Sequence, residues 1–453
     1  MRRSVDTSVA VVGAGLSGLA AARTIEAAGV DVVVLEARDR VGGRILTERT
    51  PRGVVLDHGA QWVGPTQHRI LALAEEFELD TFLTYDTGRN VEFRDGRRSE
   101  YEGPVPMEDR SMSADLLEAM FELNLLAMEV PTEAPWDSPR AEEWDSQTFD
   151  TWIRTEVRSP GAQDYLTLGV EALLGAEPRD ISLLHFLFYV RSAETLMALI
   201  GVTGGAQERR FVDGAQPVAE RMAAALGDRV RIGHAVRSVA QDGHGVTVRT
   251  DHGDLRADRA IVALSPAIAG RIRYEPALTA ARTQLAQRVP MGAVIKIHTV
   301  YDEPFWREEG LSGQATSDAG AVRLTFDNSP PDGAPGVLLT FMEGDEARRS
   351  ADADPVERRR AVLDQLAVYF GPRAATPRDY AEHSWMTEEF SGGCYTGYFP
   401  PGVWTSYGRA LRTPVGRLHW AGTETATVWS GYMEGALQAG ERAAGEVLAR
   451  VEA

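Results

Sequence analysis

The stretch SVAVVGAGLSG, residues 8–18, runs on through LAAARTIEAAG (19–29) and VDVVVLE, which ends at Glu36. Ser8 to Val12 is a short β-branched run, the form of a buried parallel strand. The next segment reads as an amphipathic helix closed by Gly29, and Val30 to Leu35 as a second strand. Glu36 stands 23 residues past Gly13, close to the spacing of a dinucleotide-binding βαβ unit. In that unit Gly13 makes the tight turn, and Gly15 lets backbone approach a pyrophosphate. Gly18 lets the helix pack on the strand, and the helix N-terminus, with Ser17 in its first turn, faces the phosphates. Glu36 would accept hydrogen bonds from ribose hydroxyls. A lone GxGxxG is a weak signal; strand, motif, helix, strand and acid in order are a strong one.

Which dinucleotide is bound depends on the residues just past that acid. Residues 36–44 read EARDRVGGR, with a second glycine pair, Gly42-Gly43. That pair allows another close backbone approach, and Arg44 can offer a fork of donors to the pyrophosphate. Nicotinamide enzymes of this type do not usually carry the extension. GxGxxG with a downstream GGR resembles the flavin-containing amine oxidase family, and the resemblance implies FAD. Residues 57–65, DHGAQWVGP, are similar to that family's next flavin-contacting loop, which adds Gly59, Ala60, Gln61 and Trp62 to the expected cofactor residues beside Arg38.

Composition limits the function classes. The 453 residues are too many for one simple core and imply two domains. Forty-seven basic against 66 acidic residues give a formal net charge of −19, which disfavours nucleic acid and anionic membranes as partners. Cys394 is the only cysteine, so an intramolecular disulfide is excluded. Arg2-Arg3 are followed by too short an apolar run for a signal peptide. No window approaches 18 uninterrupted apolar residues, and the chain stops at Ala453 without a hydrophobic tail. A cytoplasmic enzyme without membrane attachment is the expectation.

Between these landmarks the text alternates in character. Residues 66–85 read as helical, 85–101 as strand-like, 111–130 as an apolar-periodic helix and 165–200 as a long helical, aromatic-rich block. Arg229 to Arg249 alternates like paired strands, and Ala260 to Leu264 is a buried strand that returns to the nucleotide domain. The fold class is therefore α/β: a Rossmann-like FAD-binding domain, discontinuous in sequence, with an inserted substrate domain of mixed sheet and helices. The expected division gives residues 1–85, 209–290 and 391–453 to the FAD domain, and 86–208 and 291–390 to the substrate domain. The histidines show no metal spacing.

Residues 391–402, SGGCYTGYFPPG, and 421–435, AGTETATVWSGYMEG, resemble the C-terminal part of monoamine oxidases, and VPMGAVIKIHTVYDEPFW (289–306) matches the same family. The resemblance implies a thioether from Cys394 to the flavin and a pair of facing tyrosines, Tyr395 and Tyr432, before it. It implies that Lys296 holds a water near flavin N5 and that Trp385 packs by the ring. Gly422, Thr423, Glu424, Gly431 and Met433 would line the flavin, and the strand carrying Val236 would reach the adenine end. Trp62, Tyr189, Leu199, Ile200, Gln207, Leu311 and Phe341 align with cavity-lining positions, although Trp62 and Leu311 depart from the residues usual in the animal enzymes. Their character suits an arylalkylamine such as phenethylamine or tyramine, oxidised with dioxygen to aldehyde, ammonia and hydrogen peroxide. Two rivals stand beside this: a diamine or polyamine oxidase, for which Glu171 or Glu194 could supply a distal carboxylate, and a flavin-fold scaffold without turnover. A homodimer is expected by resemblance alone.

Overall fold

The computed structural model describes residues 6–451 apart from Pro104 and Glu108; Arg2, Arg3 and Ala453 lie outside the described residues. The strand Thr7–Val12 sits inside an eight-stranded sheet. It pairs in parallel with Val32–Leu35 on one side and with Gly253–Val262 on the other. All four residues of Val32–Leu35 are buried, which explains the unbroken apolar run: a strand covered on both faces has no solvent side to alternate with.

Chain segments far apart in sequence complete this sheet. Leu418–Trp420 pairs with Gly253–Val262 through Ala260↔Leu418 and Val262↔Trp420. The helices Leu16–Ala27 and Met433–Val451 then lie against each other so closely that a Cβ on Gly440 would stand 2.1 Å from the Ser17 carbonyl oxygen.

A second, seven-stranded sheet is built around Val294–Tyr301 and Gly336–Glu343, both buried along their whole length. They pair antiparallel, with Lys296 opposite Phe341 and Val294 opposite Glu343. The helix Pro355–Phe370 packs into the core of this sheet, while Arg110–Met128, Pro160–Leu174 and Leu183–Ser192 share a separate apolar core. The architecture is α/β, with mixed sheet and helices in its second part. Among the described residues no helix is long and apolar enough to cross a membrane.

Two sequence expectations are corrected. The block 165–200 is three helices, Pro160–Leu174, Leu183–Ser192 and Leu196–Ile200. Gly175 ends the first in the left-handed region at φ 61°, and the Ser182 hydroxyl caps the second by accepting from His185 N at 3.0 Å. Residues buried on all sides hide such ends from a periodicity argument. Likewise 66–85 is a helix only over His68–Glu76, after which Thr81–Leu83 joins Arg209–Phe211 as a strand.

Candidate active site

The cavity that touches both chain ends has a volume of about 710 Å³ and is lined from Gly13, Gly15 and Glu36 to Tyr395 and Tyr432. At the first end backbone does the work. Gly15 is bridged to Gly42, and a Cβ added to Gly15 would meet protein no nearer than 3.9 Å, so it would occupy cavity space. Gly18 does not line the cavity; a Cβ there would stand 1.9 Å from the Gly13 carbonyl oxygen, so the helix can close on the loop only without a side chain. The Glu36 carboxylate accepts from Ala14 N at 2.7 Å and Arg38 N at 2.9 Å, which fixes it at the rim with lone pairs to spare. Ser17 Oγ accepts from Gly422 N at 2.9 Å, tying the first loop to the last. Arg38, Gly42, Gly43, Gly59, Ala60, Val236, Thr423, Gly431 and Met433 also lie in the wall. Open backbone at Gly15 and Gly43 with an acid at the strand end fits the adenosine and pyrophosphate of FAD.

Arg44 lines the cavity but its fork is engaged otherwise than expected. It donates to the Glu424 carboxylate at 2.7 and 3.2 Å and to the Tyr395 carbonyl at 2.9 Å. Glu424 lies behind the wall with a wholly buried side chain. Burial acts to raise its carboxyl, and the adjacent Arg44 guanidinium outweighs this, leaving it below the usual range.

At the second end side chains do the work. Lys296 projects from its strand, and its Nζ donates to the Gly59 carbonyl at 2.8 Å and Gln61 Oε1 at 2.6 Å. An ammonium has three N–H groups, so one remains. Nζ also stands 5.6 Å from the Trp62 ring centroid and 5.8 Å from that of Phe341. Burial pushes Lys296 down to about 7, against the pull of Asp57. Burial likewise pushes the Cys394 thiol up to about 12, with Arg44 and Lys296 opposing. Trp385 sits outside the wall, donates Nε1 to the His58 carbonyl at 2.8 Å and shares an apolar cluster with Cys394 and Phe341.

Tyr395 and Tyr432 both face the cavity, each packed on a different neighbour. Tyr395 meets Phe341 edge-on at 6.2 Å; Tyr432 meets Trp429 at 4.9 Å and Tyr189 at 6.1 Å. The loop between Thr423 and Tyr432 is stitched by Thr423 Oγ1, which donates to Tyr432 O at 2.9 Å and accepts from Gly431 N at 2.8 Å. The Tyr395 hydroxyl donates to Glu343 Oε1 at 2.9 Å.

Tyr189, Leu199, Ile200, Gln207, Phe341 and Trp62 line the cavity as expected of them. Gln207 Nε2 donates to the Leu199 carbonyl at 3.0 Å, and its Oε1 has no hydrogen-bond partner among the described residues. Leu311 does not line it: it packs in the apolar core behind the second sheet. Its strand shifts register between Leu311 and Ala315, and Gln314 and Thr316 reach the cavity in its place. Neither proposed distal carboxylate lines it. Glu171 is paired with Arg323 at 2.8 Å, and Glu194 is an exposed residue at φ 74°. The carboxyl that reaches the wall beside Tyr395 is Glu343, which the sequence reading missed; Asp86 and Glu389 line the cavity as well. Strand alternation could have found it, since Glu343 shares a face with Phe341 two residues before it. Among the described residues no cluster of His, Cys, Asp and Glu could hold a metal ion.

Comparisons with known proteins agree with this geometry. Residues 16–448 match the family model described as flavin containing amine oxidoreductase. A Mycobacterium tuberculosis protein named for the flavin-containing monoamine oxidases is 43% identical over 97% of this chain and 96% of its own. Cyclohexylamine oxidase from Brevibacterium oxydans superposes with a TM-score of 0.95 at 36% identity, over 99% of this chain and 100% of that one. Wild-type putrescine oxidase bound to putrescine gives 0.95 at 35% identity, over 98% and 99%.

Proposed function

The chain belongs to the flavin containing amine oxidoreductase family, and from that premise we propose that it deaminates arylalkylamines such as phenethylamine or tyramine. It is a flavin-dependent amine oxidase. The observation that carries the narrower reading is the wall ahead of the tyrosines: Trp62, Phe326, Phe341, Leu199 and Ile200 surround the space with apolar and aromatic faces. Such a wall suits an aryl group.

Bound FAD would supply the two-electron acceptor, with dioxygen as the final oxidant and hydrogen peroxide as its product. The chain's own residues bind, orient and dry the site. The Gly13–Gly18 loop and the N-terminus of Leu16–Ala27 would hold the pyrophosphate, and Glu36 the ribose. Tyr395 and Tyr432 would flank the amine, strip its water and present its α-carbon. Lys296 would hold a water on its remaining N–H. Cys394, which lines the cavity beside Tyr395, would tether the cofactor. The reactive amine is the neutral form, so turnover should rise with pH. The imine formed on the substrate hydrolyses to aldehyde and ammonia.

Acid precipitation tests the tether: flavin should stay with wild-type protein and leave Cys394→Ala. Release from wild type removes the covalent assignment. Anaerobic bleaching of the flavin by phenethylamine against putrescine tests the substrate class. A diamine substrate is the second reading, favoured by Glu343 in the wall and by the putrescine-bound neighbour; faster bleaching by putrescine would establish it. We also propose the division into residues 1–85, 209–290 and 391–453 against 86–208 and 291–390, a cytoplasmic location and a homodimer. Limited proteolysis, fractionation and light scattering test these three in turn.

A further inference from the structure

We propose that Glu343 is a positioning residue for Tyr395, fixing the ring of the amine gate and, when ionised, raising its attraction for a cationic amine. The inference rests on the amine-oxidase reading of the cavity. Glu343 ends the buried strand Gly336–Glu343 and reaches the wall, where its Oε1 takes the Tyr395 hydroxyl at 2.9 Å. Its other oxygen takes no hydrogen bond among the described residues. The Tyr395 ring also meets Phe341, from the same strand two residues earlier, with centroids 6.2 Å apart and planes at 74°. Phe341 and Glu343 therefore set the ring's tilt as a pair.

A phenol donating to a carboxylate makes a shorter, stronger hydrogen bond than one donating to a neutral acid. It also sends electron density into the ring, whose face then attracts a cation more strongly. Burial pushes Glu343 up to about 7, with the Tyr395 hydrogen bond and Arg323 opposing. The gate therefore gains its extra hold as pH rises through neutrality and loses it as pH falls. The charged or titratable groups that face the pair are Arg323 with Glu171 and Glu177, Cys394, Tyr189 and, on the adjoining strand, Lys296. Lys296 would act in the same direction, since its own charge repels a cation below about 7.

The test uses the flavin-loaded enzyme and two inert probes read by perturbation of the flavin spectrum: benzyltrimethylammonium, a permanent cation, and its neutral carbon isostere neopentylbenzene. Wild type should bind the cation about tenfold more tightly at pH 8.5 than at pH 6, a change equivalent to about 1.4 kcal/mol. The neutral probe should bind equally at both. Glu343→Gln should lose most of the difference, and Tyr395→Phe should lose most of it with the carboxyl still present. Lys296→Met should keep most of it. An undiminished slope in Glu343→Gln overturns the proposal. So does a slope undiminished in Tyr395→Phe, or one that vanishes in Lys296→Met. If Glu343→Gln does not retain flavin, the Tyr395→Phe and Lys296→Met pair decides alone. Failure of the underlying reading looks different: wild type would be bleached by no amine and would bind neither probe.

Discussion

The two ends of the cavity are made in different ways. The end at Gly13 and Glu36 is backbone: glycines too tight for a side chain, a helix start and one acid, all within residues 8–44. The end at Tyr395 and Tyr432 is side chains from separated elements: Lys296 and Phe341 from facing strands, Tyr189 from a helix, and Glu343 from a strand end. Backbone architecture tolerates no added bulk, whereas side-chain architecture tolerates replacement and expresses it as altered chemistry. Arg44 and Glu424 join the two, since Arg44 belongs to the first end and also holds the Tyr395 carbonyl.

The joint should break most severely. Glu424→Gln leaves the Arg44 guanidinium without its counter-charge behind the cavity wall, and a loss of about 3–5 kcal/mol is expected in urea unfolding. Gly18→Ala comes next. It forces a Cβ toward the Gly13 carbonyl oxygen, and overpacking of about 1–3 kcal/mol should appear together with a lowered ratio of flavin to protein absorbance. An unchanged flavin content would show that the loop yields more easily than its geometry implies.

Lys296→Met sharpens the contrast through pH. Native Lys296 titrates at about 7 against an ordinary value of 10.5, so between these the unfolded chain binds more protons than the folded one. Stability owed to this residue therefore rises with pH across that window, and the variant should flatten the slope. Smallest is a matched pair. Leu311→Val should cost about 0.5–1.5 kcal/mol in stability and leave the KM for phenethylamine unchanged. Ile200→Val should shift that KM with less effect on unfolding. A KM shift in Leu311→Val would return that residue to the cavity.

Much of the first end was legible because its signals are local. Turn, helix start and acid follow one another along the chain, and the spacing Gly13 to Glu36 is itself the structure. Cys394, Tyr395 and Tyr432 were legible through resemblance, and the structure brings all three to one cavity. Leu311 was misplaced because a register shift is invisible in an alternating strand. Glu171 and Glu194 were weighed as carboxylates without knowledge of which way either faces. Glu343, which reaches the wall, ends a strand whose eight residues are all buried, so burial marks no functional face and only alternation from Phe341 points to it.

The sequence by itself determined the nucleotide-binding unit, because contacts between near neighbours are written in spacing, and through its resemblance to a family it carried the flavin and the α/β class. Only the tertiary structure decided that Arg44 turns to Glu424, that Lys296 keeps one N–H free, and that Glu343 holds Tyr395. Each of those depends on residues at least fifty positions apart meeting at hydrogen-bonding distance. Burial then sets their charge states, and burial belongs to the assembled fold rather than to any stretch of the chain.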